Sequence, residues 1–171
     1  MPDQLGVLVM VPLRQAQLAQ LSQQLVLDGP WLAISPTATL AGTFGLDDGE
    51  DVEAAALQLA DVAGLANQPG ILGPTGSEPV FVRRLVVVAS VPPDDVTSVA
   101  DQAANGVVRL AKLATADIIS IFTGECDQVV AKAAAEQDLD QAWELPEIQA
   151  MLANAPLSWH DRSELLELCQ L

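Results

Sequence analysis

The chain has 171 residues, of which 23 are acidic, seven are basic, one is histidine and none is tyrosine, and its formal net charge is −16. A chain of this length fits one domain and buries roughly 70% of the surface that its unfolded form exposes. The negative charge argues against a nucleic-acid partner, because nucleic-acid binding begins with a clustered positive surface. The shortage of basic residues and histidine argues against most familiar enzyme sites.

The first part of the chain predicts alternating strands and helices. The predicted strands are 5–11 and 31–34, and the predicted helices are 14–26, 36–42 and 50–66. Leu18, Leu21 and Leu25 recur at helical spacing and predict one apolar stripe. Acidic residues open the segment 50–66, where they suit the partial positive charge of a helix N-terminus.

The second part predicts four strands and four helices. The strands are 80–91, 107–110, 118–122 and 157–160, and the helices are 94–104, 125–136, 146–154 and a terminal helix that begins at Asp161. The segment 80–91 is too apolar for a sheet with one wet face, so we expect it at the centre of the sheet. Asp161 and Glu164 have the spacing of a capping box.

These elements predict a single α/β (or α+β) domain over residues 1–171. We expect a layered arrangement in which helices pack around a mixed sheet of about five or six strands.

Membrane association and export are not expected. The apolar run 85–91 is far shorter than the roughly 20 residues that cross a bilayer, and the start Met1-Pro2-Asp3-Gln4 lacks the positive region of a signal peptide. We therefore expect a cytoplasmic protein in which Cys126 and Cys169 are reduced thiols, with a disulfide between them as the alternative.

Two residues are catalytic candidates. Cys126 is predicted at a helix N-terminus, which favours a thiolate, and it could meet His160 in space. Acidic neighbours of Cys126 oppose a thiolate, however, and a small buried apolar role is the favoured interpretation. Ser158, His160 and Asp161 do not form a local triad, because chain neighbours in a strand point to opposite faces. His160 is therefore interpreted as part of a strand beside a helix cap.

An acidic stretch is a candidate metal site. Asp47, Asp48, Glu50 and Asp51, with Glu53, offer oxygen ligands for a divalent cation, as do Asp138, Asp140 and Glu144. Neither stretch matches a calcium-loop pattern, so solvated charge at a helix start is the favoured interpretation and no metal is predicted.

Two further motifs carry little functional signal. The glycine-rich residues 70–76 lack the lysine of a phosphate-binding loop and precede a strand, so no cofactor is predicted. Arg83 and Arg84 point to opposite faces of their strand, and we expect one of them to pair with a nearby acid.

Several stretches resemble an uncharacterised domain-of-unknown-function family of actinobacterial proteins. They are VMVP at 9–12, EDVEAAAL at 50–57, RRLVVVASVP at 83–92, ADIISI at 116–121 and LSWHD at 157–161. Relatives tend to carry tyrosine where this chain has His160, which implies that a histidine is not required there. The resemblance implies no activity, cofactor or catalytic residue.

The favoured hypothesis is a non-catalytic cytoplasmic interaction or regulatory protein that binds a protein partner or self-associates. The alternative is a carboxylate-based or divalent-cation-dependent hydrolase that uses the acidic segment 47–53.

Overall fold

The computed structural model describes residues 5–47, 49–66 and 81–170, which form one sheet with helices packed against it. The strands are β1 (Val7–Pro12), β2 (Val26–Ile34), β3 (Phe81–Val91), β4 (Val96–Ser98), β5 (Val107–Ala114), β6 (Ile118–Asp127) and β7 (Ser158–Asp161). The α-helices are α1 (Gln15–Gln24), α2 (Ala38–Phe44), α3 (Glu50–Leu65), α4 (Gln128–Ala135), α5 (Leu139–Trp143), α6 (Pro146–Asn154) and α7 (Leu165–Leu168). Short 3-10 helices occupy Pro93–Asp95, Ala100–Asn105, Thr115–Asp117 and Arg162–Glu164.

Within the described residues, the sheet has seven strands in the order β4-β5-β2-β1-β3-β6-β7, and every neighbouring pair in it is antiparallel. The domain is therefore of the α+β class. The predicted layering of helices on a sheet is confirmed, but the expectation of a mixed sheet with five or six strands is wrong. Apolar periodicity identifies a strand without revealing its direction, and β4 has only three residues, inside a segment predicted to be helical.

β3 is an interior strand between β1 and β6, as its apolar run predicts, although β1 occupies the middle of the sheet. Alternate side chains of β3 enter two different cores: Val87 and Ala89 face one side of the sheet, and Val86 and Val88 face the other. α1 and α7 cover the first side, whereas α3 packs on β1 and β3 from the second.

Several predicted elements are confirmed, with shifted ends. α3 and α6 lie within two residues of their predicted bounds. The capping box is present, since the side chain of Asp161 accepts from the backbone N–H of Glu164, and the side chain of Glu164 accepts from the backbone N–H of Asp161 at 2.7 Å.

Other predicted elements are wrong in detail. The helix predicted over 94–104 is a 3-10 turn, the edge strand β4 and a second 3-10 turn. Leu25 is not part of the buried stripe of α1: it has a left-handed φ of 67° and is 60% exposed. β6 continues to Asp127, whose side chain caps α4, so Cys126 lies in a strand and not at a helix start.

No helix within the described residues is both long enough and apolar enough to span a membrane. Residues 67–80, which include the glycine-rich motif, lie outside the described part of the chain.

Candidate binding groove along helix α3

One face of α3 lines two adjoining cavities. The lining residues on this helix are Glu50, Glu53, Ala54, Leu57, Gln58 and Asp61. Their spacing of one, three or four residues places them along one side of the helix. A larger cavity of about 460 Å³ borders the N-terminal half, and a smaller one of about 150 Å³ borders the C-terminal half. Ala54 and Leu57 line both, so we treat the two cavities together as the α3 groove.

The floor of the larger cavity is part of the sheet face on which α3 packs. It consists of Leu8 and Met10 on β1, Val88 on β3, and Ser120 and Phe122 on β6. Met10 pairs with Val88, and Val88 pairs with Ser120, so these side chains form a row across three strands. The exposed carboxylates of Glu50 and Glu53 stand at the rim. The cavity thus combines an apolar floor with a negatively charged edge.

A β-bulge shapes the mouth of this cavity. Val88 pairs with Ser120 and the next residue, Ala89, pairs with Ile118, so Ile119 is an extra residue in β6. Bulges bend a strand and re-aim the side chains beside them. Ile119 lines the cavity next to Ser120 and is 48% exposed, which gives the mouth an aliphatic side chain.

Arg84 joins three parts of the structure at the smaller cavity. Its guanidinium Nη1 donates to Oδ2 of Asp61 at 2.6 Å, Nε donates to the carbonyl of Glu125 at 3.1 Å, and Nη2 donates to the carbonyl of Ala155. These bonds connect α3, β6 and the residue that follows α6. The prediction that one of the paired arginines meets an acid is confirmed. Gly124 permits this approach, because a Cβ atom there would lie 2.9 Å from Nη2 of Arg84.

Asp61 is a buried acid with an unused hydrogen-bond acceptor. Its Oδ1 atom is buried and has no partner among the described residues, while the residue lines the smaller cavity. Burial raises the pKa of Asp61 from 3.8 to about 6, although the charge and hydrogen bond of Arg84 act in the opposite direction. The smaller cavity therefore places an acceptor beside a buried cation.

Cys126 and His160 are not brought together. His160 on β7 pairs with Ile121, and Cys126 lies five residues further along β6, which corresponds to about 16 Å at the usual rise per residue. Cys126 is buried and its Sγ donates to the carbonyl of Asp127 at 3.3 Å. Burial raises the pKa of the Cys126 thiol to about 11, so its environment does not favour a thiolate. Cys126 and Cys169 are both free.

The ring nitrogens of His160 have structural partners. Nε2 lies 2.8 Å from Oγ1 of Thr123, and Nδ1 lies 3.5 Å from Oε1 of Glu164. Asp161 caps the following 3-10 turn, and its hydrogen bond from Ser163 lowers the pKa of Asp161. These contacts agree with the interpretation of His160 as a strand residue beside a cap.

The acidic metal candidates do not converge where they are described. Asp48 lies outside the described residues, Glu50 and Asp51 lie in the exposed first turn of α3, and Asp47 precedes that helix. Asp140, from the second acidic stretch, accepts a hydrogen bond from the side chain of Asn105 at 2.7 Å. In residues 5–47, 49–66 and 81–170, no group of three or more His, Cys, Asp or Glu side chains is arranged to hold a metal ion.

Comparison with known proteins identifies the family. The model of DUF6912, a family of unknown function, matches residues 7–169. The chain belongs to this family. Neither a curated protein nor a solved structure is significantly similar to it.

Sequence reasoning missed the α3 groove of this DUF6912 chain, although a signal for one part was present. Asp61 is the one charged residue in the stretch 54–66, and Arg83 and Arg84 interrupt an apolar strand. Charges at buried positions are expected to be paired, so Asp61 could have been assigned as the partner of one of these arginines. No comparable signal marks the larger cavity.

Proposed function

We propose that this protein is a non-catalytic interaction protein whose α3 groove binds a basic, partly apolar segment of a protein partner. The observation that carries the proposal is the chemistry of the larger cavity, whose sheet floor is mostly apolar and whose rim carries Glu50 and Glu53. Lysine or arginine side chains of the segment would pair with that rim while aliphatic or aromatic side chains cover the floor.

The size and surroundings of the cavity support such a partner. A volume of about 460 Å³ falls within the roughly 300–1,000 Å³ of small-molecule sites, so the cavity has room for side chains of a bound segment. Trp159 on the edge strand β7 pairs with Phe122 of the floor and is 60% exposed, so the apolar surface extends to the sheet edge. Exposed tryptophan is a frequent energetic centre of protein interfaces. The net charge of −16 would steer a basic partner towards the molecule.

The hydrolase alternative gains nothing from this geometry, and we do not propose it. Acid–base hydrolysis uses two titratable groups whose environments push their pKa values apart. Glu50 and Glu53 are both exposed in the first turn of α3, and neither Asp47 nor Asp51 lines the cavity.

Selection from a random peptide display library tests the proposal without a known partner. We expect enriched peptides that combine lysine or arginine with large apolar residues, and we expect their affinity to fall as salt rises. Ala54→Trp should obstruct the groove, Glu53→Lys should reverse its rim charge, and Trp159→Ala should remove the exposed ring. Each should weaken binding of the selected peptides at least about tenfold, a change of roughly 1.4 kcal/mol.

Matched controls separate the groove from the rest of the surface. Ala153→Trp adds the same side chain at an exposed position of α6, and Glu147→Lys makes the same charge change in the first turn of that helix. Both should leave peptide affinity unchanged. Selected peptides that lack basic residues, or that bind Ala54→Trp as well as the natural chain, would show that the groove is not the binding site.

A further inference from the structure

Two hydrogen-bonded residues of opposite charge, Asp61 and Arg84, line the smaller cavity. Oδ1 of Asp61 has no partner among the described residues, although its accessible surface is almost completely lost. Arg84 lines the same cavity, and its guanidinium uses three N–H groups in the bonds to Asp61, Glu125 and Ala155. A guanidinium has five N–H donors, so two are not used in these three bonds.

The charges in the cavity select a neutral ligand. Asp61 and Arg84 form a buried ion pair with side chains only 2% exposed. A charged guest would add an unpaired charge to this buried site, which is strongly unfavourable. A purely apolar guest would leave Oδ1 of Asp61 without a donor, which also has a free-energy cost. A neutral group that carries a donor next to an acceptor avoids both costs.

We infer that the smaller cavity is a recognition pocket for a neutral primary carboxamide, the group that ends an asparagine or glutamine side chain. The amide N–H would donate to Oδ1 of Asp61, and the amide carbonyl would accept from Arg84. The remaining wall includes Leu57, Leu152, Pro156 and Leu157, which suit the methylene groups of such a side chain. A volume of about 150 Å³ accommodates a group of this size.

The biological occupant rests on the proposed function, because it would be an amide side chain of the bound segment. Ala54 and Leu57 line both cavities, so a segment in the larger cavity could extend one side chain into the smaller one. The chemistry of the pocket does not depend on that segment and can be tested with a small probe.

Nuclear magnetic resonance titration with acetamide is the direct test. Acetate and methylammonium serve as probes of similar size that carry a negative or a positive charge. We expect acetamide to shift the Arg84 Nε–H and Asp61 carboxyl signals saturably, with a dissociation constant in the millimolar range. Acetate and methylammonium should bind at least about tenfold more weakly. Equal responses to the three probes, or no response to acetamide, would overturn the inference.

Variants locate the response and separate the two proposals. Gln58 is exposed and lines the smaller cavity but not the larger one, so Gln58→Trp should abolish the acetamide response in a folded protein. Ala153→Trp should retain it, and an acetamide response that persists in Gln58→Trp would place the site elsewhere.

Glu53→Lys should lose peptide binding and keep the acetamide response. Peptide binding without an acetamide response would defeat the pocket alone, and the reverse result would defeat the proposed function alone.

Discussion

Oδ2 of Asp61 and Nη1 of Arg84 lie 2.6 Å apart, in side chains that are each 2% exposed and 23 positions apart in the chain. A buried ion pair contributes little net stability, because removing two charges from water offsets most of their attraction. Its geometric effect is larger here, since Arg84 also bonds the carbonyls of Glu125 and Ala155. We attribute to this pair the alignment of α3 with β6 and with the end of α6, which together enclose the smaller cavity.

Replacing one partner of this pair should destabilise the protein more than replacing both. Asp61→Leu leaves a buried cation and Arg84→Met leaves a buried acid, so each should lower the free energy of unfolding by about 3–5 kcal/mol. The loss of unfolding free energy in the double variant should be smaller than the sum of the two single losses by at least roughly 1 kcal/mol, because no uncompensated charge is left. Urea unfolding of the four chains measures this cycle. Strictly additive losses would mean that the two side chains do not act as a unit.

The stability of the natural chain relative to Asp61→Asn should depend on pH. The pKa of Asp61 is raised from 3.8 to about 6 in the folded state, so the folded chain binds more protons than the unfolded chain between these values. The contribution of Asp61 to stability is therefore fully present below the lower value, falls as pH rises, and is lost above about 6. Over this pH range, the difference in unfolding free energy between the two chains should change by on the order of 2–3 kcal/mol.

Unfolding free energies of the two chains between about pH 4 and about pH 8 measure this effect. Only their difference is informative, because many other carboxyl groups titrate in the same range. Glu147→Gln is the control, because it replaces a carboxyl group by an amide at an exposed position. A natural chain that instead gains stability over Asp61→Asn as pH rises would contradict the raised pKa.

Cys126 should resist alkylation in the folded protein. Its side chain is buried and its pKa is raised to about 11, so at about pH 8 roughly one thiol in a thousand is ionised. In a Cys169→Ser chain, iodoacetamide should modify Cys126 slowly under native conditions and rapidly in urea. Intact-protein mass spectrometry follows the reaction. Equal rates in both conditions would show that the thiol is accessible and activated.

Gly106 should be far less replaceable than Gly45. Both have left-handed backbone angles, with φ of 71° and 64°, but a Cβ atom at Gly106 would lie 2.4 Å from the carbonyl oxygen of Ser35, while Gly45 has open space. Gly45→Ala should cost about 1 kcal/mol from the backbone angle alone. Gly106→Ala should cost about 3 kcal/mol or more, because the backbone must also move. Chemical unfolding compares the two variants, and equal losses would contradict the close contact.

Local features of the fold were predictable because their causes are local. Apolar spacing predicted α3, and the spacing of Asp161 and Glu164 predicted their capping box. The helix predicted over 94–104 failed because the edge strand β4 exists through its pairing with β5, a contact that helical propensity does not reveal. Cys126 was misplaced for a related reason, since pairing with Val82 extends β6 beyond the point where a helix was expected.

The sequence by itself determined an acidic chain of helices and strands, an interior position for β3 and an ionic role for one of its two arginines. These properties follow from composition and from residues within a few positions of one another. Only the tertiary structure decided that the neighbouring strands of the sheet are antiparallel, that Asp61 is the partner of Arg84, and that α3 and the sheet beneath it line one groove. Each of these depends on backbone pairing and packing between distant segments. The α3 groove therefore has no signature in any one stretch of the chain.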